Sequence, residues 1–287
     1  MTLTRREAID LLERHELQPS RALGQNFLVD PNTVRRIARL AAVTTGDPVV
    51  EIGAGLGSLT LALAETGAAV TAIEIDRYVL PALREVTASL DVTVVEGDAM
   101  ALDWDDLLAA HDRWTLVANL PYNVATPLVC DLLDQVPRIG RMLVMVQREV
   151  GERLAAGPGD PAYGIPSIKV AYWATAHVVG RVPPTVFLPQ PKVESALVRI
   201  ERRDRPAVDA DPEQLFSLVR RAFGQRRKML RRSLVDVVSP EAFEQAGIRP
   251  EARPEELGIG AWGRLTDAVA AAPTAGGPST GERRTGP

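Results

Sequence analysis

The sequence has few of the residues that most often signal chemistry. Its 287 residues hold one cysteine, Cys130, so no intrachain disulfide or multi-cysteine zinc site can be built, and the chain suits a reducing compartment. The three histidines, His15, His111 and His177, lie far apart with no ligand spacing, and no metal is expected. The net charge of −4 provides no global attraction to nucleic acid, so any such surface must be local. No apolar run approaches the roughly 20 residues of a membrane span, and an amino terminus carrying Arg5, Arg6, Glu7 and Asp10 is no secretory signal. A cytoplasmic protein without a membrane partner is expected. What is present is ordinary for a soluble globular chain, with 46% hydrophobic and 24% charged residues. The length allows one large α/β domain and a smaller one.

The chain is organised around Val49-Val50-Glu51-Ile52-Gly53-Ala54-Gly55-Leu56-Gly57-Ser58-Leu59-Thr60. A short apolar run ends in three glycines at alternate positions, and a helical pattern follows. Strand, glycine turn and helix let backbone N–H groups approach a nucleotide-like ligand. Any tight strand-to-helix turn can use such glycines, so the rest of the chain must decide.

Ahead of this stretch, residues 3–15 predict a short amphipathic helix. Asp30-Pro31 predicts a capped helix running to about Ala42, with Val34, Ile37, Ala38 and Ala41 inward and Arg35, Arg36 and Arg39 on a solvated face. Residues 21–28 show no clear period. Beyond the glycines, strands are expected over 69–73, 92–95, 114–118 and 142–146, alternating with helices over 78–90, 104–110, 127–136 and up to about 156. Such alternation predicts a parallel sheet with helices on both faces. Strands near 169–178 and 193–200 would complete it as an antiparallel pair at its edge. The loop over 157–164 has no assigned role.

In such sheets ligands bind beyond the carboxyl ends of the strands. The first strand ends in Glu51 and the glycines, the second in Glu74-Ile75-Asp76, the third in Glu96-Gly97-Asp98, and the fourth in Asn119-Leu120-Pro121-Tyr122. Glu74 is placed to accept from a ribose diol and Asp98 from an adenine amino group. The glycines space as G-x-G-x-G, not G-x-G-x-x-G, so the pyrophosphate fingerprint is broken. A ligand with adenosine but no phosphate fits better, which points to S-adenosylmethionine.

Asn119-Leu120-Pro121-Tyr122 suits transfer to an exocyclic adenine amine, whose lone pair is delocalised into the ring. Asn119 Oδ1 and the Leu120 carbonyl can each accept one N–H. Pro121 biases Leu120 toward an extended conformation that turns its carbonyl outward. Together the acceptors would stabilise positive charge developing on nitrogen and hold it in line with a methyl donor. Tyr122 supplies a ring for a base taken out of its helix.

At this point the chain resembles the ribosomal RNA adenine-N6,N6-dimethyltransferase family, in particular the small-subunit branch that modifies two adjacent adenosines near the 3′ end of that RNA. The resemblance covers residues from about 20 to 270. Leu23-Gly24-Gln25-Asn26-Phe27-Leu28 is similar to the family's amino-terminal cofactor motif, and the glycine stretch to its glycine loop, with Ala54 where proline is common. Phe187-Leu188-Pro189-Gln190-Pro191-Lys192-Val193-Glu194-Ser195 resembles its F-x-P-x-P-x-V-x-S signature. Gln147 to Leu154 also matches. The resemblance implies cofactor contacts from Asn26, Leu28, Gly53, Gly55, Glu74, Asp98 and Asn119, and a Phe187 ring facing Tyr122 across the base. Without it, the proline-rich surroundings of Phe187 read as core.

Toward the carboxyl end, Asp211-Pro212-Glu213 starts a helix whose Leu215, Leu218, Val219, Ala222 and Phe223 share one face. Arg220, Arg221, Arg226, Arg227, Lys228, Arg231 and Arg232 follow with no acid among them, a density that favours a phosphate-facing surface. Ser239-Pro240-Glu241 starts another helix, and 253–269 holds one or two more. The fold expected is α/β, a Rossmann-like class I methyltransferase sheet of seven mostly parallel strands with a smaller all-α carboxyl-terminal domain. The boundaries expected are 1–203 for the catalytic domain, 204–272 for an RNA-contacting helical domain, and 273–287 for a disordered tail. A monomer acting on ribosomal RNA within a pre-ribosomal small subunit is expected. Two other readings are a resistance-type enzyme that methylates a large-subunit adenosine, and an assembly or transcription factor that keeps the fold without catalysis.

Overall fold

The computed structural model describes residues 2–20 and 22–271, and the expected tail over 273–287 lies outside them. The chain divides into two compact units, Met1–Ala207 and Val208–Pro287. No helix of the described residues is long and apolar enough to cross a membrane.

The described residues of the first unit form nine strands: β1 (Phe27–Leu28), β2 (Pro48–Ile52), β3 (Ala69–Glu74), β4 (Val92–Glu96), β5 (Trp114–Asn119), β6 (Ile139–Gln147), β7 (Ala174–Val182), β8 (Phe187–Leu188) and β9 (Ser195–Arg202). Seven form one sheet in the order β4-β3-β2-β5-β6-β9-β7. The first five of that order run parallel, while β9 is antiparallel to both β6 and β7. Its inner strands read as apolar runs because both faces are covered. In β6, Met142, Val144 and Val146 join one core cluster with Leu128, Val129 and Leu132 of the helix Ala125–Gln135. Leu143 and Met145 join the other, with Val34, Ile37 and Ala38 of Pro31–Ala41. Period-two alternation along the strand thus supplies both layers. The helix Pro31–Ala41 starts as expected, with Asp30 Oδ1 accepting from Thr33 N at 2.6 Å and Pro31 in the first turn.

The chain reverses direction along the sheet between β2 and β5. Val50 pairs with Leu116 and Ile52 with Ala118 on one side, and Ile52 with Ile73 on the other. A crevice opens beyond the carboxyl ends of strands at such a reversal.

Three features depart from expectation. Residues 169–173 belong to a helix, Ile165–Trp173, and the edge strand begins only at Ala174. The alternation of Ile168, Val170 and Tyr172, all buried, imitates a strand. Local capping overrides it: Pro166 sits in the first turn, where no N–H is needed, and Ser167 Oγ accepts from Gly164 N at 3.1 Å. Next, Phe27–Leu28 and Phe187–Leu188 form a two-stranded antiparallel ladder, too short for any periodicity to reveal. Finally, the first unit extends to Ala207 rather than ending at 203. Arg203 N donates to Trp173 O and Ala207 N to Tyr172 O, which ties this stretch to the first unit.

The described residues of the second unit hold the helices Pro212–Phe223, Leu230–Ser233, Pro240–Ala246 and Ile259–Ala271 and no strand. Leu215, Leu218, Val219 and Ala222 are buried on one face, as their spacing predicts, while Phe223 is half-buried.

Candidate active site

The strand ends of the first unit bring the predicted residues into one cleft. One part is lined by Asn26, Leu28, Glu51, Gly53, Gly55, Ser58, Glu74 and the Asn119–Tyr122 motif. An adjoining part holds Asp98 among Ile52, Ile73, Ile75 and Met100. Leu23, Gly53, Ile75 and Pro121 belong to the walls of both. Because β4, β3, β2 and β5 are neighbours, Asp98, Glu74, Gly53 and Asn119 follow one another along the sheet edge in that order.

Glu74 is the best-anchored of the acids. Its Oε2 accepts from Gly55 N at 2.7 Å and its Oε1 from Asp76 N at 2.9 Å. Burial nonetheless holds its pKa above the usual carboxylate range, and the two N–H donors oppose that rise. Glu51 is buried still more deeply, and burial pushes its pKa up to about 8. Its Oε2 and the neighbouring Ser58 Oγ have no hydrogen-bond partner among the described residues. Asp98 Oδ1 accepts from Met100 N at 2.9 Å, leaving its second oxygen for a ligand. Gly55 has φ +54°, and a Cβ there would stand 2.9 Å from the Phe27 ring. Gly53, at φ +73°, adopts a left-handed conformation that L side chains rarely take.

Among the described residues no basic side chain lines either part. A dinucleotide would set its phosphates against Glu51, Glu74 and Asp98 with no cation among the described lining residues to offset them. Three acids, two orphaned polar atoms and a wall of apolar side chains suit an adenosyl group carrying positive charge.

Asn119 Nδ2 donates to Asn26 O at 3.0 Å. Leu120 N donates to Met145 O at 3.0 Å, which fixes that peptide, and no donor reaches the Leu120 carbonyl among the described residues. Tyr122 is half-buried, with its hydroxyl 3.1 Å from Ser195 Oγ, and burial raises its pKa. Phe187 is not where the resemblance placed it, but in the core that its own surroundings suggested. Its ring is fully buried in the core cluster with Leu28, Val182 and Leu197, and it lines neither part of the cleft. The backbone pairing with Leu28 draws the ring inward. The second signature touches Tyr122 through its last residue, Ser195, rather than through its first. Glu51 and Gln25 were given no binding role from sequence. The position of Glu51 at the strand end ahead of the glycines was the available signal.

A family model described as ribosomal RNA adenine dimethylase matches residues 17–270. The chain belongs to the ribosomal RNA adenine dimethylase family. Among curated relatives of this dimethylase chain, "Ribosomal RNA small subunit methyltransferase A" of Bifidobacterium adolescentis is 47% identical over 260 residues, covering 85% of this chain and 86% of the relative. The protein of the same name from Kineococcus radiotolerans is 45% identical over 273 residues, covering 92% and 90%. Among solved structures, the 23S rRNA methyltransferase ErmE superposes with a TM-score of 0.65 at 26% identity, covering 85% of this chain and 100% of its own. A Plasmodium falciparum dimethyladenosine transferase superposes with a TM-score of 0.71 at 23% identity, covering 83% and 95%, and shares the fold.

The basic residues of the dimethylase's second unit do not lie on one helix. Arg220 and Arg221 close Pro212–Phe223, Arg226, Arg227 and Lys228 lie in the turn after it, and Arg231 and Arg232 are in Leu230–Ser233. All seven are exposed. Three face acids: Arg221 pairs with Asp236 at 2.8 Å, Arg226 with Glu255 at 3.9 Å, and Arg231 with Glu251 at 3.3 Å. Arg220, Arg227, Lys228 and Arg232 make no ion pair among the described residues.

Proposed function

We propose that the protein transfers methyl groups from S-adenosylmethionine to the N6 amino groups of two adjacent adenosines near the 3′ end of small-subunit ribosomal RNA, two to each. The observation that carries this reading is a cleft whose described lining holds three acids and that ends at Asn119 and a Leu120 carbonyl that no donor reaches among the described residues. Identities of 47% and 45% to small-subunit enzymes, against 26% to a large-subunit one, favour the small-subunit substrate.

S-adenosylmethionine, when bound, supplies an electrophilic methyl on a sulfonium. Asp98 accepts from the adenine amino group. Each Glu74 oxygen keeps a lone pair for the ribose hydroxyls after accepting its backbone N–H, and Asn26, Leu28, Gly53 and Gly55 shape the remaining wall. Asn119 Oδ1 and the Leu120 carbonyl would each accept a hydrogen bond from an N–H of the target amine, which aims its lone pair at the methyl donor and offsets charge developing on nitrogen. Pro121 holds Leu120 in the geometry this needs. No strong base is required, because an N-methylated adeninium loses its proton readily. Tyr122 offers its ring face to the extruded base, contributing roughly 1–3 kcal/mol. Among the described residues the lining of both parts comes from the first unit, which supports a monomeric reading. The working site is the cytoplasm, on a small subunit late in assembly.

The second unit contacts RNA through phosphates, which orient without reading sequence. Arg220, Arg227, Lys228 and Arg232 are the cations left for that contact. The test uses small subunits lacking adenine methylation near the 3′ end, incubated with the protein and labelled S-adenosylmethionine. N6,N6-dimethyladenosine at two adjacent positions is expected. Binding of subunit and cofactor without transfer would favour a non-catalytic assembly factor instead. With the same subunits, Arg227→Ala/Lys228→Ala should lower the salt dependence of binding by about two phosphate contacts, and an unchanged slope would remove the phosphate assignment.

Glu51 gives the cofactor step a pH dependence. Its carboxyl is protonated below about 8 in the free protein, and a cationic ligand favours the ionised form. Affinity for S-adenosylmethionine should therefore rise with pH, by at most about tenfold per unit, and level off above that value. Calorimetry at pH 7 in two buffers of different ionisation enthalpy should show proton release, and Glu51→Gln should abolish it. Proton-neutral binding by the unaltered protein would refute the assignment.

A further inference from the structure

Residues 22–26 roof both parts of the cleft: Leu23, Gly24, Gln25 and Asn26 cover the Asn119 end, and Ala22 and Leu23 cover the Asp98 end. At the Asn119 end this roof makes the hydrogen bond that orients the side chain, from Asn119 Nδ2 to Asn26 O. A main-chain carbonyl can only accept, so the atom facing it must be the amide nitrogen. That contact alone decides that Oδ1, not NH2, is presented to an incoming amine.

The roof is itself fastened through Gln25. Its Oε1 accepts from Ser20 N at 2.7 Å, and its Nε2 donates to Asp76 Oδ2 at 2.7 Å. Its own N donates to Ser20 O at 3.1 Å, so Ser20 and Gln25 are joined by backbone and side chain together. Asp76 is fixed in turn, since its Oδ1 accepts from Tyr78 N at 3.0 Å and its N donates to Glu74 Oε1. Donor and acceptor identities leave no alternative orientation at any joint. A continuous path of hydrogen bonds and short backbone therefore runs from Glu74 through Asp76 and Gln25 to Asn26 O and Asn119.

We propose that Gln25 is a positioning residue for methyl transfer, acting by latching the 22–26 roof to Asp76 so that the Asn26 carbonyl holds the Asn119 amide in its productive orientation. This rests on the role assigned to Asn119 above. Misplacement of a reacting group by about 1 Å can cost about a hundredfold in rate, so loosening this latch should act on kcat even with every substrate saturating.

The hydrogen-bonding pattern supplies its own test. Gln25→Glu sets a carboxylate against Asp76. Asp76→Asn, with its oxygen kept by Tyr78 N, sets an amide N–H against the Gln25 amide. Each single change should lower kcat by about 10- to 100-fold at saturating cofactor and RNA, with the thermal midpoint little altered. Combining them reverses the bond without losing it: the carboxylate introduced at position 25 accepts both from Ser20 N–H and from the amide introduced at position 76. The double variant should regain at least half of the unaltered kcat. Wild-type kcat in both single variants, or a double variant as slow as the slower single one, would overturn the proposal. Should Gln25→Glu fail to fold, Gln25→Ala removes both bonds without adding charge and is expected to show the same kcat loss; a normal kcat there also overturns the latch. Failure of the unaltered protein to methylate the subunits would instead remove the proposed function.

Discussion

Asn119→Ala should lower kcat for adenine methylation by about two to three orders of magnitude, the range seen when a single preorganised group at a developing charge is removed. The substitution deletes the Oδ1 acceptor and also strands the Asn26 carbonyl, whose bond to Nδ2 is 3.0 Å long. The remaining acceptor, the Leu120 carbonyl, is held by Leu120 N on Met145 O and should persist. Binding of RNA should be unchanged, because none of the exposed arginines of the second unit is touched. Single-turnover kinetics on unmethylated small subunits, with a parallel binding titration, would separate the two. Turnover within a few-fold of the unaltered protein would remove Asn119 from the chemistry.

For Glu74→Ala the expected loss falls on the cofactor, about a hundredfold or more in affinity. Two contributions combine. The ribose loses its acceptor, and Gly55 N and Asp76 N, now 2.7 and 2.9 Å from the carboxylate, lose theirs. An unsatisfied buried donor costs about 1–3 kcal/mol, and the glycine loop is where that strain would appear. The thermal midpoint should drop as well, and saturating cofactor should restore part of kcat. Unchanged affinity by calorimetry would refute the ribose assignment, whatever happened to stability.

Most of the cleft was legible in the sequence for one physical reason. Parallel strands buried on both faces are short apolar runs, so the first polar residues after each run stand at the sheet's carboxyl edge. Glu74, Asp98 and Asn119 were placed this way, although the sheet sets them in the order Asp98, Glu74, Asn119 rather than in their order along the chain. What failed was contact across long sequence separation. Phe187 was assigned to the base through a resemblance, while its apolar, proline-flanked setting read as core, and the structure buries the ring completely. The latch of Gln25 was invisible because Asp76 comes from the end of a different strand. The helix Ile165–Trp173 was missed for the opposite reason: a local cap at Gly164 and Ser167 outweighed a period-two pattern. The basic run was seen at once, but not that three of its seven cations face acids.

The ladder between Phe27–Leu28 and Phe187–Leu188 also bears on how the chain matures. Arg5 reinforces it by donating to Thr185 O and Phe187 O, each at 2.9 Å. A ribosome making this protein exports residues 5–28 early, yet their partners arrive only after five parallel strands have been synthesised. Pairings between distant segments form late because loop closure must precede them. A nascent chain that has completed β2 to β6 can therefore assemble the acidic edge while the segment bearing Asn26 is still unanchored. Competence to hold the cofactor would be acquired in one step near the end of the first unit's translation, when β8 emerges.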